Sequence, residues 1–335
     1  MRVGIAGYGL AGRSFHGPLL KGCGFEVVAI ATSNSTRARQ AKDDFPLATI
    51  APDFATLLKQ NLDLVVIATA NKVHAEQAKA AIAARIPVVI DKPAARTAAE
   101  TAEIFKAAKD AAVPVTVFYN RLWDSDALTI KHVVRNGLIG KPFRLDSRFE
   151  RFRPQLNPAS WRENEAPENG GGLLLDLQTH LISTALDWFG PAQLVHAQIR
   201  TIRGESEDDV LLALKHETGV DSYLSASAIA GNPGPRIRLL GSEGALVIED
   251  LDPQEALLRA GEFPEGGLWK VPTSSRAYIY RGDIKEEIAA QPGNYGQFYL
   301  ALKDALSQGS ALPISEEQVL AVAKVIDKAR EINAR

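Results

Sequence analysis

The chain is short of several things. It has one cysteine, Cys23, and one methionine in 335 residues. A lone cysteine cannot close an intrachain disulfide, which suits a reducing compartment. Neither sign of charge is in excess: 38 Lys and Arg stand against 40 Asp and Glu, a net charge of −2. Without a basic block, the chain lacks the electrostatic footprint of a nucleic-acid binder. No apolar run approaches the length needed to cross a bilayer, so no membrane partner is expected. The first strand pattern opens at residue 2, which leaves no room for a signal peptide and points to the cytoplasm. Repeats and low-complexity segments are missing too. What remains is an ordinary globular composition, 46% hydrophobic and 23% charged, at a length that suits two domains.

The first feature present is a glycine turn. Arg2 to Ala6 is a short apolar run that suits a buried parallel strand, and GYGLAG follows it. Gly7 permits the tight turn, Gly9 lets a pyrophosphate approach the backbone, and Gly12 lets the next helix pack closely on the strand. Leu10 lies between them as a further nucleotide contact. Strand before and helix after is the context that the dinucleotide fingerprint requires. Pro18 falls inside that helix and should kink or shorten it. The second strand, Phe25 to Ala31, ends in Thr32-Ser33-Asn34-Ser35-Thr36-Arg37, with no acid for a ribose 2′-hydroxyl. A carboxylate there would repel a 2′-phosphate, whereas hydroxyls and a guanidinium would bind it. NADP is therefore expected over NAD, with Ser33 and Arg37 as phosphate contacts and Arg39 as a fallback.

The first 120 residues alternate strand and helix patterns, with strands at Asp63 to Thr69, Pro87 to Asp91 and Pro114 to Asn120. This implies an α/β fold with a doubly wound parallel sheet, a Rossmann domain over residues 1–121. Ligands on such sheets bind beyond the strands' carboxyl ends. Thr69, Asn71, His74, Asp91, Lys92 and Asn120 should converge there with the glycine turn. From residue 122 to 335 the pattern becomes α+β. Strand-like runs joined by turns such as GNPGP and GSEG predict a large, mostly antiparallel open sheet. An open face of that sheet would expose apolar residues, so a homodimer or homotetramer is expected. Two helical patterns, Asn294 to Ser307 and Ser315 to Arg335, close the chain, and the last is expected to pack back on the first domain.

Lys92 follows a strand and precedes Pro93, which holds its backbone extended. Asp176 and His180 lie four apart in LLLDLQTHLISTALDWF and share a helix face. Their neighbours are apolar, so the pair is either mutually satisfied in the core or a base with its positioning partner at a cleft. Gly170, Gly171 and Gly172 favour the cleft, because they permit close approach of a ligand. No Cys or His cluster completes a metal site. With the glycine turn, the set points to hydride transfer.

GYGLAG, then Asp91-Lys92-Pro93 where Glu-Lys-Pro is usual, then GGGLLLDLQTH resemble the Gfo/Idh/MocA oxidoreductases across essentially the whole chain. FHGP, YNRLWDSD and ERFRP further resemble the branch of NADP-dependent scyllo-inositol dehydrogenases. The resemblance implies a dehydrogenase acting on an alcohol of a cyclic polyol or sugar. In it His180 removes the hydroxyl proton, Lys92 stabilises the same oxygen, and Asp176 orients the substrate or the base. Such chemistry suits a histidine near neutral pH and a fixed cation where water is excluded. Trp123, Arg153, Trp161 and Tyr295 are expected at the substrate, with Arg121, Asp124, Asp126 and Arg162 near them. Trp161 and Tyr295 are equally compatible with packing, and His16 reads as structural. Reduction of another keto-sugar or carbonyl compound, and a nucleotide sensor without turnover, remain alternatives.

Overall fold

The computed structural model describes residues 1–270 and 274–333. Six strands form the first sheet: β1 (Arg2–Ala6), β2 (Glu26–Ala31), β3 (Thr49–Ala51), β4 (Leu64–Ile67), β5 (Val88–Asp91) and β6 (Val115–Phe118). All are parallel, in the order β3-β2-β1-β4-β5-β6. The order reverses between β1 and β4, and the glycine turn lies at that switch point, where a doubly wound sheet leaves a crevice. Leu64, Val65, Val66 and Ile67 are all buried, as a strand covered on both faces requires. The short β3 and the helix Phe54–Leu58 were not expected. At three and five residues, neither is long enough to show a period.

The helix after the glycine turn has an unexpected form. Ala11–His16 is a π turn and Gly17–Gly22 continues as α-helix. Gly17 N–H donates to Gly12 O, five residues back. Pro18 has no N–H for Ser14, so the wider turn replaces the expected kink without ending the helix.

Among the described residues the second sheet has eight strands: β7 (Pro142–Glu150), β8 (Ala192–Arg200), β9 (Asp209–His216), β10 (Asp221–Ser227), β11 (Ile237–Gly241), β12 (Gly244–Ile248), β13 (Ala277–Arg281) and β14 (Ile284–Ile288). Their order is β14-β13-β12-β11-β7-β10-β9-β8, and only β7 with β10 is parallel. Leu145, Leu224, Leu239, Leu246 and Ile279 point to the helix side and are buried. The opposite face corrects the expectation of an apolar surface. It carries Arg144, Asp146, Tyr223, Arg238, Tyr278 and Lys285, placed together by the strand register. Arg144 stacks 4.9 Å over Tyr223 and donates to Asp146 at 3.0 Å, while Lys285 lies 3.8 Å over Tyr278. Aromatic faces and paired charges fill the positions where alternation alone suggested apolar side chains.

The final helix, Glu316–Asn333, packs on β8 and on the helices Ala98–Ala111 and Thr179–Phe189. Asp327 accepts from Ala98 N–H at 2.8 Å, and Arg330 donates to Arg96 O at 2.8 Å. The last two residues of the expected helix lie outside the described residues. Among the described residues, no helix is long and apolar enough to cross a membrane.

Candidate active site

Gly7 has φ +88°, and a Cβ there would meet Ala68 O at 2.5 Å. A Cβ on Gly12 would collide with Gly7 O. Gly9 differs: its Cβ position meets only the Arg37 guanidinium, at 3.7 Å. A backbone met by a flexible guanidinium at ordinary contact distance, with no rigid backbone atom nearer, is what a pyrophosphate needs, and Leu10 beside it is exposed. Arg37 and Ser33 are exposed at the end of β2, where Asn34 caps the next helix by accepting from Arg37 N–H at 3.0 Å. No carboxylate stands among residues 32–37. The cradle, its guanidinium and its hydroxyls fit a dinucleotide.

Asp91 and Lys92 end β5 at the same edge. The Lys92–Pro93 peptide is cis. Lys92 Nζ donates to Asp176 Oδ1 at 2.7 Å and to Asp176 O at 2.6 Å. Arg162 Nε lies 3.3 Å from the same Oδ1. Burial pushes the Asp176 carboxyl up, but Lys92 and Arg162 outweigh it and hold it well below the ordinary carboxylate range. The acid is ionised and doubly held.

Asp176 stands in a second π turn, Leu174–Gln178, which leads into the helix Thr179–Phe189. Gln178 explains the local geometry. Its buried amide donates to Val210 O and Leu224 O, at 3.0 and 2.9 Å, and pins the turn to the sheet. Glu207 caps the start of the segment, accepting from Leu174 N–H at 3.3 Å. The three glycines before it therefore serve protein neighbours, which corrects the ligand-approach reading. Gly170 makes room for Asn71, Gly171 for Glu165 O and Gly172 for the Glu207 carboxylate.

His180 follows one turn later, 6% exposed, and its Nδ1 has no hydrogen-bond partner. Burial pushes its pKa down, and the Lys92 and Arg121 charges push it further, so the imidazole is neutral well below its usual range. Asp176 and His180 are thus not a mutually satisfied core pair: Asp176 turns to Lys92.

Behind His180 lies a charged cluster that sequence spacing did not reveal. Phe149 sits 6.1 Å from the His180 ring, with Arg236 stacked 4.0 Å and Arg121 5.5 Å from its centroid. Arg236 pairs with Asp126 at 3.2 Å, a contact not aligned as a hydrogen bond. Arg121 pairs with Asp124 at 3.2 Å and with Glu255. Only Arg121, Asp124 and Asp126 were legible, through YNRLWDSD; Phe149 comes from β7, Arg236 from the residue before β11 and Glu255 from the helix Gln254–Arg259.

Several expected contacts are corrected. Tyr295 is fully buried, and its hydroxyl donates to Asp124 at 2.5 Å while accepting from Arg121 at 3.0 Å, so it braces the cluster and lines no cleft. Trp123 is half-buried and packs edge-on against Phe298, 5.6 Å away. His74 is fully buried between Pro93 O and Thr69 O, at 2.8 and 3.2 Å, and does not reach a cofactor. Asn71 donates to Gly170 O at 3.0 Å, and Thr69 donates to Gln77 at 2.7 Å. Asp91 turns from the crevice toward His16. Asn120 is buried at the end of β6. Arg153 is exposed, and Trp161 is half-buried with Arg162 stacked 4.6 Å from its ring.

A parallel sheet with a glycine cradle and a lysine at one strand end, met by a helix of the second domain that brings an aspartate to the lysine and a neutral histidine beside it, defines a nucleotide-dependent oxidoreductase. The comparisons agree. A model described as an oxidoreductase family with an NAD-binding Rossmann fold matches residues 1–119, and one for the GFO/IDH/MocA C-terminal domain matches residues 127–247. The chain belongs to the Gfo/Idh/MocA family of oxidoreductases. It is 34% identical to an uncharacterized oxidoreductase of Escherichia coli, YdgJ, covering 98% of this chain and 94% of that protein. It is 32% identical to the scyllo-inositol 2-dehydrogenase (NADP(+)) IolW of Bacillus subtilis, covering 99% and 93%. Among solved structures, the oxidoreductase yvaA from Bacillus subtilis superposes with a TM-score of 0.88 at 31% identity, covering all of this chain and 98% of that one.

Proposed function

We propose that the protein is an NADP-dependent dehydrogenase that oxidises a secondary alcohol of an inositol-like cyclic polyol or sugar. The observation that carries this reading is the Lys92–Asp176 pair, set beside a buried neutral His180 at the carboxyl end of β5. Among the described residues neither ring nitrogen of His180 has a protein partner; Nδ1 is closed off from solvent, which leaves Nε2 as the nitrogen to accept a substrate hydroxyl proton. The Lys92 ammonium, one side of which is held by Asp176, stabilises the charge that develops on the same oxygen. Asp176 and Arg162 fix that geometry. A nicotinamide held in the cradle would supply the redox chemistry, as acceptor for the hydride of the carbinol carbon. Gly7, Gly9, Leu10 and Gly12 would hold its pyrophosphate, and Ser33 and Arg37 the 2′-phosphate. The preference for NADP is supported by Arg37 over Gly9 and by the printed cofactor of the Bacillus subtilis relative. Reduction of a keto-sugar would use the same residues in reverse.

We place the enzyme in the cytoplasm as a homodimer or homotetramer, with the open face of the second sheet as the contact. Its stacked Arg144–Tyr223 and Lys285–Tyr278 pairs suit such an interface. Light scattering that gives a monomer at micromolar concentration would exclude this assembly.

The test is nicotinamide absorbance against a panel of cyclic polyols and aldoses, with NADP⁺ and NAD⁺ in parallel, for wild type and Lys92→Ala. Turnover with NADP⁺ that collapses in the variant supports the proposal. Tight NADP(H) binding without turnover in either direction would favour a sensor.

A further inference from the structure

Two segments of the described chain adopt π geometry, and each brings one side chain to the Asp91-Lys92 pair. The second carries Asp176, which holds Lys92. The first carries His16, whose Nε2 lies 3.3 Å from Asp91 Oδ1. The other ring nitrogen of His16, Nδ1, lies 2.6 Å from the Tyr299 hydroxyl in the helix Gly296–Gln308. His16 and Tyr299 are both fully buried. The three groups therefore run in a line from the helix Gly296–Gln308, through the nucleotide helix, to the residue that precedes Lys92.

The proton positions in this line follow from its ends. Burial pushes the Asp91 carboxyl up, but His16, Lys92 and His74 outweigh that and hold it below its ordinary range, so it only accepts. Burial pushes the Tyr299 hydroxyl far up, so it keeps its proton and donates. One tautomer of His16 satisfies both: Tyr299 O–H donates to Nδ1, and Nε2–H donates to Asp91. Phe118 lies 4.7 Å from the His16 ring and 5.8 Å from Tyr299, and Phe298 lies 5.2 Å from Tyr299. This apolar cage strengthens each bond and makes any unpaired member costly. Asp91 is also a carboxylate shorter by one methylene than the Glu of the usual Glu-Lys-Pro, and His16 supplies it with a partner.

We propose that Tyr299, His16 and Asp91 form a buried relay that positions Lys92, with His16 as a positioning residue of the site. The proposal rests on the dehydrogenase reading for its kinetic consequence and on geometry alone for its effect on Lys92. Asp91 and Lys92 are adjacent, so the relay grips the turn from one side while Asp176 grips the ammonium from the other. Loss of either grip lets the ammonium leave the oxygen it must meet, and small misplacements at a reacting centre carry large rate penalties.

The experiment uses the full-length protein with NADP⁺ bound, as wild type, Tyr299→Phe, His16→Gln and His16→Leu. Tyr299→Phe deletes one oxygen. Glutamine can still present an N–H to Asp91, and leucine cannot. Two readouts are taken: steady-state kinetics on a substrate from the polyol panel, and trace acylation of Lys92 with acetic anhydride across pH, followed by peptide mass spectrometry. The relay predicts a kcat lower by roughly fivefold in Tyr299→Phe, and by more in His16→Leu, as expected for a lost hydrogen bond. Substrate KM and NADP⁺ affinity stay near wild type, Lys92 acylates faster, and His16→Gln recovers most of both effects. Unchanged Lys92 acylation and unchanged kcat per folded enzyme, with only a lower Tm, would overturn it and leave packing as the role of the three residues. Should wild type turn over no substrate, the dehydrogenase reading fails by itself. The acylation of Tyr299→Phe and His16→Gln still decides the relay. Should His16→Leu not fold, the same two variants suffice.

Discussion

Lys92 Nζ and Asp176 Oδ1 lie 2.7 Å apart across 84 residues of chain, and the bond joins the end of a Rossmann strand to the helix of the second sheet. The pair is mostly buried, with 12% and 18% of the side chains exposed. Lys92→Ala leaves Asp176 with Arg162 alone. Turnover should fall roughly a hundred- to a thousandfold, the effect of removing one donor to a developing oxyanion. Stability should drop by roughly 1–3 kcal/mol, the cost of a buried group losing a partner. Nicotinamide absorbance and thermal melts check the two effects separately. A variant that turns over like wild type would remove Lys92 from the mechanism.

His180 governs the pH dependence. Its folded pKa is depressed by burial and by the Lys92 and Arg121 cations, while the unfolded chain titrates near the ordinary histidine value. Between those two values the unfolded state binds the extra proton. Its contribution to stability is therefore complete above the unfolded pKa and is lost as pH falls below it toward the folded pKa. Oxidation should keep its rate through mildly acidic pH and fail only well below the usual histidine range. His180→Asn should abolish that acid limb and cut kcat by about 10²–10⁴. A limb centred at the ordinary histidine value would refute the depressed pKa.

Gly9 and Gly12 separate binding from folding. A Cβ on Gly9 meets only the flexible Arg37 side chain, whereas one on Gly12 strikes the Gly7 carbonyl. Gly9→Ala should melt like wild type and lose NADP⁺ affinity by at least about tenfold, since it fills the phosphate approach. Gly12→Ala should lower the melting temperature first. Equal effects of the two on melting would contradict the packing described.

Arg37 sets cofactor choice. Arg37→Ala should raise the NADP⁺ dissociation constant roughly 10- to 100-fold, the worth of a charge-assisted hydrogen bond, and leave that of NAD⁺ almost unchanged. Isothermal titration with both cofactors measures the difference. Parallel losses for the two would place Arg37 away from the 2′-phosphate.

Local spacing was sufficient wherever the physics is local. Buried parallel strands announce themselves as runs such as DLVVIAT, and the glycine turn by the spacing of three glycines, of which Gly7 and Gly12 cannot carry a Cβ. Lys92, Asp176 and His180 were singled out because a charge next to a proline and polar residues inside an apolar helix each need a cause. Two errors came from the same source. Tyr295 looked like a cleft residue because an aromatic beside a loop can either line a surface or pack, and burial decides between them. The open sheet face was expected to be apolar because alternation gives the period and not the chemistry of the outer positions.

Which partner each of these groups takes could be settled only by the folded chain. Asp176 and His180 share a helix face by their spacing, yet Asp176 bonds to Lys92, 84 residues away, because a π turn pinned by Gln178 aims it there. His16 meets Asp91 and Tyr299 at separations of 75 and 283 residues, and Arg236 reaches Phe149 from the residue before β11. Such contacts leave no periodic trace, since side chains meet across elements according to twist, register and packing. Sequence determines secondary structure and the chemistry available to it; the tertiary arrangement decides which charges are desolvated together, and so which histidine is neutral and which carboxylate stays ionised.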